Sequence, residues 1–203
     1  MKKVQYYTGE WKDGLKHGKG VFNCSVFTYD GEWKNGEKDG FGKLKFHEGN
    51  THYEGHFKND KKNGHGIFIF DIEGDVYDGE FCDDMLHGQG VLKFASGTTY
   101  NGEWRDNCHH GHGVLAYSNG DVYDGNFVKD LKHGTGTMKY VSGNVYTGEW
   151  FDDVHGQGVY KWKNGDVFKG EYRDDRMYDG VLTLRNGSIE QIIEGKLMKR
   201  QTP

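Results

Sequence analysis

Tyr77-Asp78-Gly79-Glu80-Phe81, followed after a short gap by Gly88-Gln89-Gly90, is the stretch that decides the fold. Its first five residues alternate large or small with polar, the period of a β-strand. Tyr77, Gly79 and Phe81 therefore face one side, and Asp78 and Glu80 the other. The second segment, through Val91-Leu92-Lys93-Phe94, places Gly88, Gly90, Leu92 and Phe94 on one face. A polar connection over residues 82–87 joins the two strands into a hairpin.

The same pentapeptide returns as Tyr7-Thr8-Gly9-Glu10-Trp11, Tyr100-Asn101-Gly102-Glu103-Trp104 and Tyr146-Thr147-Gly148-Glu149-Trp150, each trailed by its own Gly-x-Gly. The leading aromatic stands at Tyr7, Tyr29, Tyr53, Tyr77, Tyr100, Tyr123, Tyr146 and Phe168, so units begin near 7, 29, 53, 77, 100, 123, 146 and 168. Such self-similarity marks a repeat architecture, in which each unit buries its face only against its neighbours. Ile193-Glu194-Gly195-Lys196-Leu197 reads as the frayed start of a ninth unit, within a degenerate cap over 181–203. Units are joined by Glu48-Gly49, Glu73-Gly74, Ser96-Gly97, Asn119-Gly120, Ser142-Gly143, Asn164-Gly165 and Asn186-Gly187, dipeptides that supply the positive φ of tight turns. Only Cys24-Ser25-Val26-Phe27 lacks that signal, which predicts a distorted first link. The expected fold is all-β: an elongated, twisted single-layer antiparallel sheet of stacked β-hairpins, forming a single domain over 1–203.

Composition supports one layer rather than two. Hydrophobic residues make up 34% of the chain, yet aromatics make up 15% and glycine 33 of 203 positions. Rings can cover one sheet face with these numbers but cannot fill the space between two apolar layers. Glycine inside a strand is costly, so each Gly-x-Gly is read as a shelf for a Tyr or Trp ring. On the other face, Glu32, Glu80 and Glu149 are expected to pair with Lys45, Lys93 and Lys161 across strands.

Several function classes are disfavoured. The net charge of −5, with Lys and Arg dispersed, does not suit nucleic acid. No apolar run approaches the ~20 residues that span a bilayer, and Met1-Lys2-Lys3 is not followed by a signal-peptide core. Three cysteines at unrelated repeat positions, Cys24, Cys82 and Cys108, favour a reducing, intracellular compartment. Histidine recurs before the first glycine as His17, His87, His110, His133 and His155. Copies two strands apart lie roughly 9–10 Å from one another, too far for one metal ion. They read as the polar end of a turn, with no metal site, as does the run Cys108-His109-His110-Gly111-His112. Asp83-Asp84, Asp152-Asp153 and Asp174-Asp175 read as solvated turn residues rather than catalytic pairs. No nucleophile–base arrangement or phosphate loop stands out, so neither enzyme activity nor a cofactor is expected.

The pattern Tyr-x-Gly-Glu-Trp, a short acidic turn, then His-Gly-x-Gly closely resembles the MORN repeat over about residues 6–195. Departures are mild: Phe57, Phe81, Phe127 and Tyr172 replace Trp, and Phe168 replaces Tyr. The resemblance implies a scaffold or adaptor in the cytoplasm or cytoskeleton, with cilium, flagellum and axoneme as the sharpest setting. Partners would be proteins, bound through helical or extended segments. The expected groove is the aromatic row Tyr7, Trp11, Tyr29, Trp33, Tyr53, Phe57, Tyr77, Phe81, Tyr100, Trp104, Tyr123, Phe127, Tyr146 and Trp150, which the same rings would use to cover glycine. Two alternatives stay open. One is a self-assembling dimer through Val181, Leu182, Leu184, Ile189, Ile193 and Leu197. The other is a membrane-associated module, for which Lys196, Lys199 and Arg200 form the sole basic group, so lipid binding is expected to be weak or absent.

Overall fold

Asp83-Asp84 shows how each repeat is closed. In the computed structural model, which describes residues 5–70 and 74–201 and side chains as far as Met198, both have positive φ, 49° and 73°. That is the type I′ hairpin turn, whose twist matches the flanking strands and which Asp and Asn tolerate. The polar connection expected over residues 82–87 is therefore two residues long, and Met85, Leu86 and His87 belong to the second strand. Asp13-Gly14, Asn35-Gly36, Asn59-Asp60, Asp152-Asp153 and Asp174-Asp175 close their hairpins in the same conformation.

The strands fall into two units, Met1–Asn107 and Cys108–Pro203. The first holds β1 (Tyr6–Lys12), β2 (Leu15–Asn23), β3 (Phe27–Lys34), β4 (Glu37–Phe46), β5 (His52–Lys58), β6 (Lys61–Ile69), β7 (Val76–Cys82), β8 (Met85–Lys93) and β9 (Thr99–Arg105). The second holds β10 (Cys108–Ala116), β11 (Val122–Val128), β12 (Leu131–Lys139), β13 (Val145–Phe151), β14 (Val154–Lys161), β15 (Val167–Arg173), β16 (Arg176–Thr183), β17 (Ile189–Ile193) and β18 (Lys196–Gln201). Within each unit every strand pairs antiparallel with its neighbour in sequence, giving one open layer with no helix among the described residues. The expected all-β sheet of stacked hairpins is what forms.

Register explains the uneven period. Across the first link Asn23 pairs Thr28, so four residues intervene, whereas Lys93 pairs Thr99 across five. Lys45 pairs His52 and Ile69 pairs Val76, each across six. The link without a glycine is thus the shortest, closed by Cys24 N–H donating to Phe27 O at 3.0 Å. Of the Glu73-Gly74 junction, Glu73 lies outside the described residues, and Gly74 has a φ of 80°. The ninth hairpin departs from its expected form. Glu194-Gly195 is its turn, with φ of 50° and 73°, and its first strand begins at Ile189.

The two glycines of each Gly-x-Gly do different work. Gly88 has a φ of 58° at the bulge where the β7–β8 register shifts. Gly90 lies beneath the Tyr77 ring, where an added Cβ would stand 2.3 Å from the phenol oxygen. Only the second glycine is a shelf. The pairs Gly79↔Gly90 and Gly90↔Gly102 continue such shelves from strand to strand.

Candidate docking face

The ring row is the core of the molecule. Tyr29, Tyr53, Tyr77, Tyr100, Tyr123 and Tyr146 are fully buried, and Trp33, Phe57, Phe81, Trp104, Phe127 and Trp150 are 1–4% exposed. Tyr29, Tyr53, Tyr77, Tyr123 and Tyr146 each meet the ring of their own strand and that of the next hairpin edge to face. Tyr53 lies 5.1 Å from both Phe57 and Phe81, at 90° and 82°. Tyr77 lies 5.2 Å from Phe81 and 5.4 Å from Trp104. Perpendicular rings set the positive edge of one against the negative face of the other. The polar atoms of the Tyr77 and Trp33 rings are also satisfied inside the layer. Tyr77 Oη donates to Glu80 O at 2.9 Å, and Trp33 Nε1 donates to Gly20 O at 2.9 Å. Burial holds the phenols of Tyr29, Tyr53, Tyr77 and Tyr123 well above the ordinary tyrosine range.

Twelve of the fourteen expected groove residues are therefore the floor of this face rather than its surface. The other two lie on β1: Tyr7 is half-buried, and Trp11, which no preceding hairpin covers among the described residues, is 60% exposed. The accessible apolar surface belongs to the second strands and links. Phe22, Phe46, Phe68, Phe70, Phe94, Leu115, Tyr117, Tyr140, Tyr160 and Trp162 are all half-buried. Alternation carries Leu92 and Phe94 to the same side as Gly90, so these positions were readable; the pentapeptides drew attention away from them. Cavities open beside two parts of this row. One of about 500 Å³ is bounded by Val26, Phe46, Thr51 and Phe68, and one of about 460 Å³ by Tyr160, Trp162, Tyr172 and Met177.

A row of cations that the sequence reading missed lies over the floor. Lys16, Lys38, Lys62 and Lys132, each the second residue after a turn, extend across the rings. Lys16 Nζ stands 3.6 Å from the Trp33 ring centre, and Lys62 Nζ stands 4.6 Å from that of Phe68. Desolvation lowers the pKa of both lysines. The acidic turns are not merely solvated. Asp84 N–H donates to Lys62 O at 3.0 Å, while Asp84 Oδ1 accepts from Lys62 N–H at 2.9 Å. Asp60 holds Lys38 and Asp153 holds Lys132 in the same two-bond clasp. The links form a second clasp at their own edge: Asp75, Asp121, Asn144 and Asp166 accept from the backbone of Ala95, Val141, Lys163 and Arg185.

On the opposite face the expected Glu–Lys rungs do not form. Glu10, Glu32 and Glu80 instead accept from the backbone N–H of Lys19, Phe41 and Gln89, the residue between the two glycines. The bulge exposes that N–H, and a carboxylate one pleat away satisfies it. Lys45, Lys93 and Lys161 stand opposite Thr28, Val76 and Val145.

The histidine series divides. His133 Nδ1 lies 3.2 Å from Asp152 and is well exposed. His155 belongs to another row, because β14 is one residue shorter than β12. A one-residue slip moves a side chain to the other face, and His155 pairs with Trp150 where Lys132 pairs with Phe127. It packs 4.3 Å from the Tyr146 ring and reaches Asp175 Oδ1 at 2.7 Å. Cys108 and His109 open β10 rather than sitting in a turn, and His109 lies 3.3 Å from Asp130. Burial lowers the pKa of both His109 and His155. Among the described residues no group of three His, Cys, Asp or Glu side chains is arranged to hold a metal ion. Of the expected dimer edge, Val181, Ile189, Ile193 and Leu197 are exposed and Leu182 and Leu184 half-buried; only Leu197 lies on the last strand. Lys199 and Arg200 of the basic group have side chains outside the described residues.

A hairpin ladder with a buried Tyr/Trp floor over paired glycines defines a repeat protein of one kind. A family model of the MORN repeat matches residues 7–25, 29–51, 53–72, 77–99, 100–122, 123–145 and 146–167, and the chain belongs to that family. The eighth and ninth hairpins lie beyond the matched ranges, although Gly170 still pairs with Gly180 as in the other units. The TCP10 domain of Danio rerio CPAP, solved with a peptide of Danio rerio STIL, resembles the chain with a TM-score of 0.50 at 10% identity, covering 99% of both. The TCP domain of Drosophila melanogaster SAS-4, solved with a proline-rich motif of Ana2, gives 0.46 at 12% identity over 80% of this chain and 84% of that one. At 10% identity the likeness to the CPAP domain is one of fold. No curated protein matches the chain by sequence.

Proposed function

We propose that the chain is a non-enzymatic scaffold or adaptor that holds an extended segment of a partner protein against its aromatic face. The observation that carries this reading is the set of half-buried rings above each unit's ring floor, Phe46, Phe68 and Phe94 in the first unit and Tyr117, Tyr140 and Trp162 in the second. Apolar stripes beside charge mark interaction surfaces, and aromatic anchors dominate interface energies. The CPAP domain of similar fold was solved with a partner peptide, which supports the same use here. Phe94→Ala and Tyr140→Ala remove surface rings while leaving the floor in place. Partners recovered by the parent chain from cell extract, identified by mass spectrometry and retested as purified peptides, should bind each variant at least about tenfold more weakly. Unchanged affinity in both variants overturns the docking reading. The cytoskeletal setting, with the ciliary axoneme as its sharpest form, rests on the family alone and is tested by imaging a tagged chain.

A second reading follows from the exposed aliphatic side chains of the last hairpins, where Ile193 is 47% and Leu197 59% exposed. They suit a second copy at this end, and a monomer mass by light scattering at high concentration removes that reading.

A further inference from the structure

Lys38, Lys62, Lys132 and His155, each the second residue after its turn, lie against aromatic rings and beside the acidic turn of the next hairpin. The Lys62 ammonium lies 4.6 Å from the Phe68 ring, 5.6 Å from Phe81 and 3.9 Å from the Asp84 carboxylate. The Lys132 ammonium lies 5.3 Å from the Trp150 ring and in contact with Asp153. The molecule thus repeatedly builds one receptor, made of two rings and a turn carboxylate, and fills it with its own lysine.

The seat between the seventh and eighth hairpins has the receptor but not the lysine. Tyr160 stands where Phe68 stands, Tyr172 where Phe81 stands, and Asp175 where Asp84 stands. His155 takes the lysine position, but its shorter side chain stays over its own hairpin, 4.3 Å from Tyr146 and 4.5 Å from Trp150, against 5.6 Å from Tyr172. Beyond it opens the cavity of about 460 Å³, walled by Tyr160, Trp162, Tyr172, Asp175, Met177 and Ile192. Arg176, of the opposite pleat, also lines it. Two further features favour an incoming donor. The Tyr172 hydroxyl is buried, in a residue only 8% exposed, and has no hydrogen-bond partner among the described residues. The Asp175 carboxylate remains 63% exposed although one oxygen binds His155.

We propose that this cavity is a lysine seat: it takes the ammonium of a lysine from the partner segment, between the Tyr160, Trp162 and Tyr172 rings and the Asp175 carboxylate. Aromatic cages attract cations through the negative ring faces, most strongly where water is excluded. The Tyr172 hydroxyl accepts one ammonium hydrogen and Asp175 another. The inference rests on the docking reading above and names the chemistry of one anchor within it.

The probe is Nα-acetyl-lysine N-methylamide, with its norleucine analogue as the uncharged control, titrated into the full chain and followed at the tryptophan indole N–H resonances. The lysine probe should move the Trp162 resonance saturably and the norleucine probe should not. His155→Lys restores the internal lysine, so it should weaken the probe at least about tenfold while the thermal midpoint stays at or above that of the parent. Tyr160→Leu, which leaves the Trp162 reporter in place, should weaken it equally without supplying a competing cation. Equal response to both probes, or unchanged affinity in both variants, overturns the lysine seat. The two readings separate cleanly: loss of partner binding in Phe94→Ala with none in His155→Lys keeps the docking face and removes the seat.

Discussion

Tyr77 is held from three sides. Its ring lies on Gly90, its edges meet Phe81 and Trp104, and its hydroxyl reaches Glu80 O. Tyr77→Phe removes only the hydroxyl and its part-buried hydrogen bond to Glu80 O, so urea denaturation should show a loss of about 1 kcal/mol. Gly90→Ala puts a methyl group into the ring, and neither backbone nor Tyr77 has room to yield; the expected loss exceeds about 2 kcal/mol. His109 and His155 give the residue scale its pH dependence. Burial lowers both folded values below the unfolded one, so the unfolded chain takes up protons first on acidification. Their contribution is complete above the ordinary histidine pKa of ~6.5 and is lost as pH falls from there toward the folded values. A thermal midpoint that falls between pH 7 and 5, and falls less in His109→Gln, is the expected result.

At the scale of the hairpin, the turn clasp is the part that joins neighbours. Asp84→Ala takes away the acceptor for Lys62 N–H, whereas Asp84→Asn keeps an oxygen at the same place. The first should cost about 1–2 kcal/mol in urea denaturation and the second only a few tenths. The strands, the turns and the glycine-covering rings were all legible in the alternation around Tyr77 and in the period. The clasp was not, because a run such as Asp83-Asp84 looks the same whether its carboxylates face water or a neighbouring backbone. The Glu row misled for a related reason. Alternation placed Glu80 on the polar face correctly, but only the bulge at Gly88 shows that an N–H nearby needs its carboxylate. His155 was misplaced because matching on His-Gly-x-Gly hides the missing residue in β14, and the missing residue decides the face.

For the whole chain, nearest-neighbour packing means that stability is close to a sum over hairpins and their junctions. Tyr29 contacts Trp33 and Phe57, while Tyr77 contacts Phe81 and Trp104, so the two share no ring. The double variant Tyr29→Phe/Tyr77→Phe should therefore lose the sum of the two single losses to within about 0.5 kcal/mol. The docking residues were the least legible part of the molecule. The most conspicuous rings are needed by the fold, and the apolar surface proposed here for a partner is the plainer second strand of each repeat.

Trp11 stands apart from the other indoles of the floor among the described residues. The equivalent indoles Trp33, Trp104 and Trp150 are 2–4% exposed, whereas Trp11 is 60% exposed. Its emission should accordingly lie to the red of theirs and be extinguished first by a collisional quencher such as iodide. The first strand thus carries a built-in optical label, one that reports separately whether anything comes to rest against that edge.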